Sequence, residues 1–124
     1  MTLKLFTLVI TCVAITTASQ LMMKLGVSAP TIQTQLAKGP SVTLAWSAAT
    51  NGFIVAGVIL YALAAGFWLV ILSRADLSLV YPFVGLGFVF VMLLGWLVLN
   101  EPLNSAKVIG TLLIATGVLF VAKS

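Results

Sequence analysis

The stretch LSLVYPFVGLGFVFVMLLGWLVL, residues 77–99, carries no charged side chain and decides the class of fold. An α-helix needs about 20 mostly apolar residues to cross the hydrocarbon core of a membrane, and this stretch is long enough. Polar and turn-forming residues stand on both sides of it, with Arg74 and Asp76 before it and Asn100-Glu101-Pro102 after it. The sequence therefore predicts a membrane-spanning helix here.

The composition of the whole chain agrees with a membrane protein. Of its 124 residues, 62% are apolar and only 6% are charged, with six basic residues, two acids and no histidine. Soluble domains carry about 25% charged and 45–50% apolar residues. So few charged side chains do not cover a water-exposed surface. The hydrophobicity, the single cysteine and the lack of histidine also exclude a disordered chain, a disulfide scaffold and a zinc module.

Four apolar stretches predict an all-α membrane protein with four transmembrane helices in a single domain covering residues 1–124. Helices are expected because backbone polar groups in lipid must be hydrogen-bonded within their own segment. The second stretch is longer than one crossing needs, so Leu44–Thr50 is interpreted as an interfacial lead-in. The N-terminal stretch is interpreted as a retained helix rather than a cleaved signal peptide, because apolar residues resume at Leu21-Met22-Met23. The predicted helices cover about residues 3–25, 44–72, 77–99 and 105–122.

The positions of the basic residues leave the orientation in the membrane open. Cytoplasmic loops normally carry an excess of Lys and Arg. With four spans, three basic residues fall on each side of the membrane, which permits both an antiparallel dimer and a fixed topology set by a partner. The two groups are Lys4, Arg74 and Lys123 on one side and Lys24, Lys38 and Lys107 on the other.

The scarcity of ionisable groups argues against an enzyme. Asp76 and Glu101 are the only carboxylates, and there is no histidine to activate a Ser, Thr or Cys nucleophile. The sequence implies no metal and no cofactor. The net charge of +4 is spread along the chain, so no basic patch suggests nucleic-acid binding.

A polar stripe runs along the predicted first helix. Thr16, Gln20 and Lys24 are spaced at i, i+4 and i+8, which places them on one face. Gln20 lies more than one turn inside the membrane edge, so its amide needs partners in the bundle interior or in a wet cavity. Thr16 either shares that role or bonds its own helix. Lys24 is interpreted either as an interfacial anchor that reaches the headgroups or as part of a binding site.

Glu101 is the carboxylate best placed to join that stripe. It precedes Pro102 and is predicted to lie in the first turn of the fourth helix, where a carboxylate complements the helix dipole. The first and third helices run in the same direction, so Lys24 and Glu101 end at the same membrane face. If these two helices are neighbours, Gln20, Lys24 and Glu101 surround the mouth of a cavity, with the Lys on a phosphate and the Glu on an amine.

Proline and glycine mark two further features. Pro82, Gly85 and Gly87 interrupt the third helix and predict a kink or hinge. Gly110 and Gly117, seven residues apart on one stripe of the fourth helix, predict a helix–helix or dimer contact. Glycine is common in membrane helices, so ordinary packing is the alternative in both cases.

These segments together resemble the drug/metabolite transporter superfamily. Residues 73–103 resemble the third helix and following turn of that group, and GTLLIATGVLF from Gly110 resembles its fourth helix. In the small multidrug resistance branch, antiparallel dimers of four-helix proteins use a membrane-embedded Glu in the first helix, which would fall here at about Thr16. The first helix of this chain contains no acid, so the proton-coupled drug mechanism lacks its central residue.

The small EamA-type proteins, which include subunits of the flippase for aminoarabinose-phosphoundecaprenol, are similar over nearly the whole chain. Position 80 is Val where that group has Ala, and the loop at residues 27–46 departs from its pattern. The residues that carry the resemblance are Ser19, Gln20, Leu21 and Lys24 in a G/S-Q-L-x-x-K phrase, Trp68, Val80-Tyr81-Pro82 and Glu101-Pro102.

This resemblance implies a transporter subunit of the bacterial inner membrane that works as a homo- or heterodimer with a similar small membrane protein. The implied cargo is a polyprenyl-phosphate-linked sugar or related lipid moved between leaflets, and the other expected partner is membrane lipid. An exporter of cationic small molecules and an accessory subunit of a membrane glycosyltransferase are the alternatives. The predicted substrate-binding residues are Thr16, Gln20, Lys24, Tyr81 and Glu101, with Tyr81 also next to the predicted hinge.

Overall fold

The computed structural model describes residues 2–124, and the regular elements in that range are all helices. Four of them are long and apolar enough to cross a membrane, which confirms the predicted all-α class with four spanning helices. In the most apolar 18-residue window of each of these helices, at most 28% of the residues are buried inside the chain. Most of the surface of these helices is therefore left for lipid or another subunit. We call them the first span (Leu3–Val27), the second span (Gly52–Leu72), the third span (Leu77–Leu97) and the fourth span (Ser105–Lys123).

Consecutive spans run in opposite directions, which defines two faces of the bundle. Residues 28–51 and 98–104 connect spans at one end, which we call the loop face. The described ends of the chain and the short connection at residues 73–76 lie at the other end, which we call the terminal face.

The connection between the first two spans is more helical than the sequence indicated. The predicted helix over residues 44–72 is divided at Asn51, which caps the second span by accepting a hydrogen bond from the Ile54 N–H at 3.0 Å. The Asn51 amide also donates to the Gly26 carbonyl at 3.4 Å, which ties this turn to the end of the first span. The segment interpreted as a lead-in is therefore a separate short helix. The two helices of this connection are Pro30–Ala37 and Val42–Thr50.

The third span is not a uniform α-helix. A 3₁₀ turn over Tyr81–Gly85 joins its two α-helical parts, Leu77–Val80 and Leu86–Leu97. Pro82 favours this break because it has no N–H to donate within a helix. The 3₁₀ turn includes Pro82 and Gly85, two of the three predicted hinge residues. A 3₁₀ segment inside a long helix often coincides with a functional hinge, and bending at this turn stays a prediction.

The turn between the third and fourth spans corrects the predicted place of Glu101. The fourth span begins at Ser105, and Asn104 caps it by accepting a hydrogen bond from the Lys107 N–H at 2.8 Å. Glu101 therefore lies before the helix rather than in its first turn. Asn is among the best residues for capping a helix N-terminus, so no carboxylate is needed at that position.

The first span lies at the centre of the packing. It contacts the second span along most of its length and also contacts the third span, while the fourth span packs on the third. Gly57 and Gly26 both permit a close approach of the first two spans, because a Cβ atom at Gly57 would lie 2.9 Å from the Ser19 carbonyl oxygen and one at Gly26 would lie 2.9 Å from the Ile54 backbone nitrogen. The Phe6 ring meets the Phe83 ring edge-on, with 6.1 Å between centroids. The buried core consists of Val9, Cys12, Val13, Ala64, Ile71, Val80, Phe83 and Val118.

Candidate substrate-binding site

A cavity of about 450 Å³ lies between the first three spans. We call it the midplane cavity. Among the described residues, those that line it come from these spans and not from the fourth, so the cavity has walls on three sides only. Its main lining residues are Thr16, Thr17 and Gln20 from the first span, Tyr61, Ala65 and Trp68 from the second, and Tyr81, Gly87 and Phe88 from the third.

The depth of this cavity follows from the positions of its lining residues along the spans. The central residues of the first three spans are Ile15, Ala62 and Gly87. Thr16 and Tyr61 are next to two of these centres, and Gly87 is the third. The cavity therefore lies near the middle of the bundle, at the depth where polar groups in a membrane are most costly and most often functional.

The first span supplies most of the polar groups in the wall. The Thr16 hydroxyl donates to the Cys12 carbonyl and the Thr17 hydroxyl to the Val13 carbonyl, each at 2.9 Å. Both oxygens keep lone pairs that are able to accept a hydrogen bond from a ligand. Gln20 is exposed, and its amide faces the same cavity. The predicted polar stripe thus lines the cavity at Thr16 and Gln20.

Aromatic side chains form the facing wall. The Trp68 and Tyr81 rings meet edge-on with 6.4 Å between centroids, which joins the second span to the start of the third. Tyr61 is half exposed and lies deeper in the same wall. Tyr61 and Ala65 are missing from the predicted site. The sequence gives no signal for these two residues, because both lie in a continuous apolar run without polar residues at helical spacing.

Lys24 lies outside this cavity in the structure. It is exposed in the last turn of the first span, one helical turn beyond Gln20 toward the loop face. Its ammonium is therefore placed above the cavity on the predicted stripe, at the level where a lysine reaches the headgroups.

Glu101 lines a different cavity, between the third and fourth spans. The structure therefore does not bring Gln20, Lys24 and Glu101 to one cavity mouth, although all three lie toward the loop face. The substrate-binding role of each remains a prediction.

The glycines of the third and fourth spans have different surroundings. A Cβ atom at Gly85 would lie 2.8 Å from Ile114 Cγ2, so this glycine lets the fourth span approach the 3₁₀ turn. Gly87 faces the first span across ordinary contact distances. A Cβ at Gly110 or Gly117 would meet nothing within 4 Å. The predicted contact at these two residues is therefore not made inside the chain, and a contact with a second subunit stays a prediction.

These features define a class of protein: a small bundle of four spanning helices with a cavity near the membrane midplane that is mostly apolar and has polar side chains along one wall. The model of the EamA-like transporter family matches residues 3–123, and the chain belongs to this family. It is accordingly a multi-pass membrane protein. Within residues 2–124, no three His, Cys, Asp or Glu side chains come together as a metal site would require.

The chain is also similar to proteins named as flippase subunits. A probable 4-amino-4-deoxy-L-arabinose-phosphoundecaprenol flippase subunit ArnF of Shewanella sediminis is 43% identical over 70 residues, which are 53% of this chain and 47% of that protein. A probable flippase subunit ArnE of Pseudomonas syringae is 41% identical over 51 residues, 41% of this chain and 47% of that protein. The chain thus spans about half the length of these curated relatives. No solved structure matches it.

Proposed function

We propose that this chain is a subunit of a flippase in the bacterial inner membrane that moves a polyprenyl-phosphate-linked sugar between leaflets. The observation that carries the proposal is the midplane cavity, because its polar wall lies where a headgroup must cross. The names of the relatives support the class of cargo, an amino sugar on a polyprenyl phosphate.

The shape of the midplane cavity suits a lipid-linked substrate. A charged headgroup has to cross a hydrocarbon layer of about 30 Å, whereas its polyprenyl tail is already soluble there. A cavity with walls on three sides accepts the headgroup while the tail stays in lipid at the open side. A cavity closed all round would have to admit the tail as well, and about 450 Å³ does not hold a long prenyl chain.

In this proposal, different residues bind the sugar and the phosphate of the substrate. Gln20 and Thr16 bind sugar hydroxyls, and Tyr81 meets them from the opposite wall. Lys24, one turn above Gln20, binds the phosphate on the loop-face side. Bending at Pro82 and Gly85 in the 3₁₀ turn moves Tyr81 relative to the first span and exposes the cavity to the two leaflets in turn.

A second subunit completes the open side in this proposal. A Cβ atom at Gly110 or Gly117 would meet nothing within 4 Å inside the chain. Gly110 is half-buried and Gly117 is exposed, and small residues at these positions allow a neighbouring helix to approach closely. The partner is a second copy or a similar small membrane protein, and it covers the cavity without contributing to the fold of this chain. The chain acts as one four-helix domain, and the proposal involves transport without enzymatic chemistry.

Photo-crosslinking tests where the headgroup binds. A prenyl-phosphate amino sugar with a photoreactive group on the sugar is equilibrated with the protein in native membranes, and the labelled peptides are identified by mass spectrometry. We expect labels within residues 12–20, 61–68 and 81–91, the segments that line the midplane cavity. Labels confined to residues 112–120 of the fourth span would contradict the proposal. Loss of labelling with an excess of a lipophilic cation would favour an exporter of cationic molecules instead.

A further inference from the structure

A second cavity of about 350 Å³ lies between the third and fourth spans near the loop face. We call it the interface groove. Its inner part is apolar, and its outer part holds a carboxylate, an ammonium and an indole within one small space. These three groups belong to Glu101, Lys107 and Trp96.

The position of the Glu101 carboxylate is set by the backbone around it. The chain reverses at Asn100, whose φ of +54° is in the left-handed region that Asn tolerates better than most residues. The Glu101 N–H then donates to the Gly95 carbonyl at 2.9 Å. The side chain folds back onto the third span, where a Cβ atom on Gly95 would lie only 2.6 Å from Glu101 Oε2. The missing side chain at Gly95 therefore makes room for the carboxylate.

Lys107 presents the opposite charge in the same groove. Its ammonium donates to the Pro102 carbonyl at 2.9 Å, and two of its three donors are left for a ligand. Lys107 lies in the first turn of the fourth span, where the helix dipole disfavours a cation and favours an anion. A phosphate bound at Lys107 would interact favourably with both the ammonium and the end of the helix.

We propose that the interface groove binds a lipid headgroup carrying both a phosphate and an amine, with Lys107 on the phosphate and Glu101 on the amine. The inference rests on the proposed function, because that function supplies a lipid headgroup as ligand. It makes Lys107, rather than Lys24, the basic partner of Glu101. Gly95 is a positioning residue that acts through Glu101.

The groove also adjoins the midplane cavity. Phe88 and Val91 line both spaces, so these two side chains form the partition between them. Both are partly exposed, at 58% and 44%, so they are not locked into the core. A headgroup held in the groove needs to pass only this partition to reach Gln20. In this proposal, the headgroup binds first in the interface groove at the loop face and then enters the midplane cavity.

Binding measurements on the purified chain in nanodiscs of phosphatidylglycerol test the groove. The probes are a short-chain prenyl phosphate carrying the amino sugar, the same lipid with its amine acetylated, and phosphatidylethanolamine. Wild-type protein is expected to bind the free amine at least about tenfold more tightly than the acetylated form, since a charge-assisted hydrogen bond is lost on acetylation. Glu101→Gln should abolish that preference, and Lys107→Gln should weaken both forms equally.

A matched pair of glycine substitutions tests whether the position of the Glu101 carboxylate matters as well as its charge. Gly95→Ala is expected to remove the amine preference as Glu101→Gln does, because the new methyl group displaces the carboxylate. Gly66→Ala, where a Cβ meets nothing within 4 Å, should keep the preference. Phosphatidylethanolamine that binds as tightly as the amino-sugar lipid, with the same dependence on Glu101, would support the site and identify a membrane phospholipid as its ligand.

Two results would overturn the inference. One is equal binding of the free and acetylated lipids to the wild type, and the other is a full preference retained in Glu101→Gln. Crosslinking in the midplane cavity is measured separately. A protein that labels there but shows no amine preference would contradict the groove and leave the proposed function standing.

Discussion

Replacing Ala65 by Phe is expected to stop translocation of the lipid-linked sugar while leaving the protein folded in the membrane. Ala65 lines the midplane cavity and is exposed, so a phenyl ring there occupies space that the headgroup needs without entering the buried core. We expect the rate to fall at least about tenfold, equivalent to a barrier about 1.4 kcal/mol higher. The measurement is labelling of the lipid amine by a membrane-impermeant reagent in spheroplasts.

Ala62→Phe is the matched control for this substitution. Ala62 is exposed on the same span at nearly the same depth but is not among the residues that line the cavity. Its replacement should leave the rate unchanged, which separates filling of the cavity from a general effect of bulk. Full activity of Ala65→Phe would contradict the proposed route. It would favour an accessory subunit, for which contacts between helices matter and an open cavity does not.

Lys24→Ala is expected to reduce translocation by about 10- to 100-fold, because a hydrogen bond between charged groups contributes about 1.5–3 kcal/mol. Lys24 is exposed at the end of the first span, so its removal should not unfold the bundle. The same amine-labelling assay measures the rate. Protein level and detergent-resistant folding are compared with those of the wild type, so that a loss of rate is assigned to the missing charge.

Lys38→Ala controls for the loss of a positive charge at the same face. Lys38 is exposed just after the short helix Pro30–Ala37, away from both cavities. If phosphate binding is specific to Lys24, this variant should translocate at the wild-type rate. Equal losses in both variants would mean that Lys24 only anchors the span in the headgroup layer.

Much of the fold follows from simple properties of the sequence. Each span is an apolar run bounded by polar or turn-forming residues, and a bilayer permits few structures other than helices for such runs. Gln20 was also predictable as a cavity residue, since an amide placed that deep needs a polar surrounding. The division at Asn51 was not expected, because a short capped break inside an apolar stretch changes hydropathy very little.

The groove and the aromatic wall could not be predicted from spacing. Glu101 reaches its place through the left-handed turn at Asn100 and the empty space at Gly95, and both depend on how the chain folds back on itself. Trp68 and Tyr81 come together only because the second and third spans pack as neighbours at the terminal face. Residue spacing within one helix carries no information about such contacts between helices.

The most direct test of the central claim is the appearance of the amino-sugar lipid in the outer leaflet of native cells with and without this chain. Lipid amine accessible to the impermeant reagent is measured after the gene is deleted and again after it is restored. We predict that deletion removes the accessible lipid while total lipid stays constant, and that restoring the chain returns it. The same accessible fraction in both strains would contradict a role in moving the lipid between leaflets.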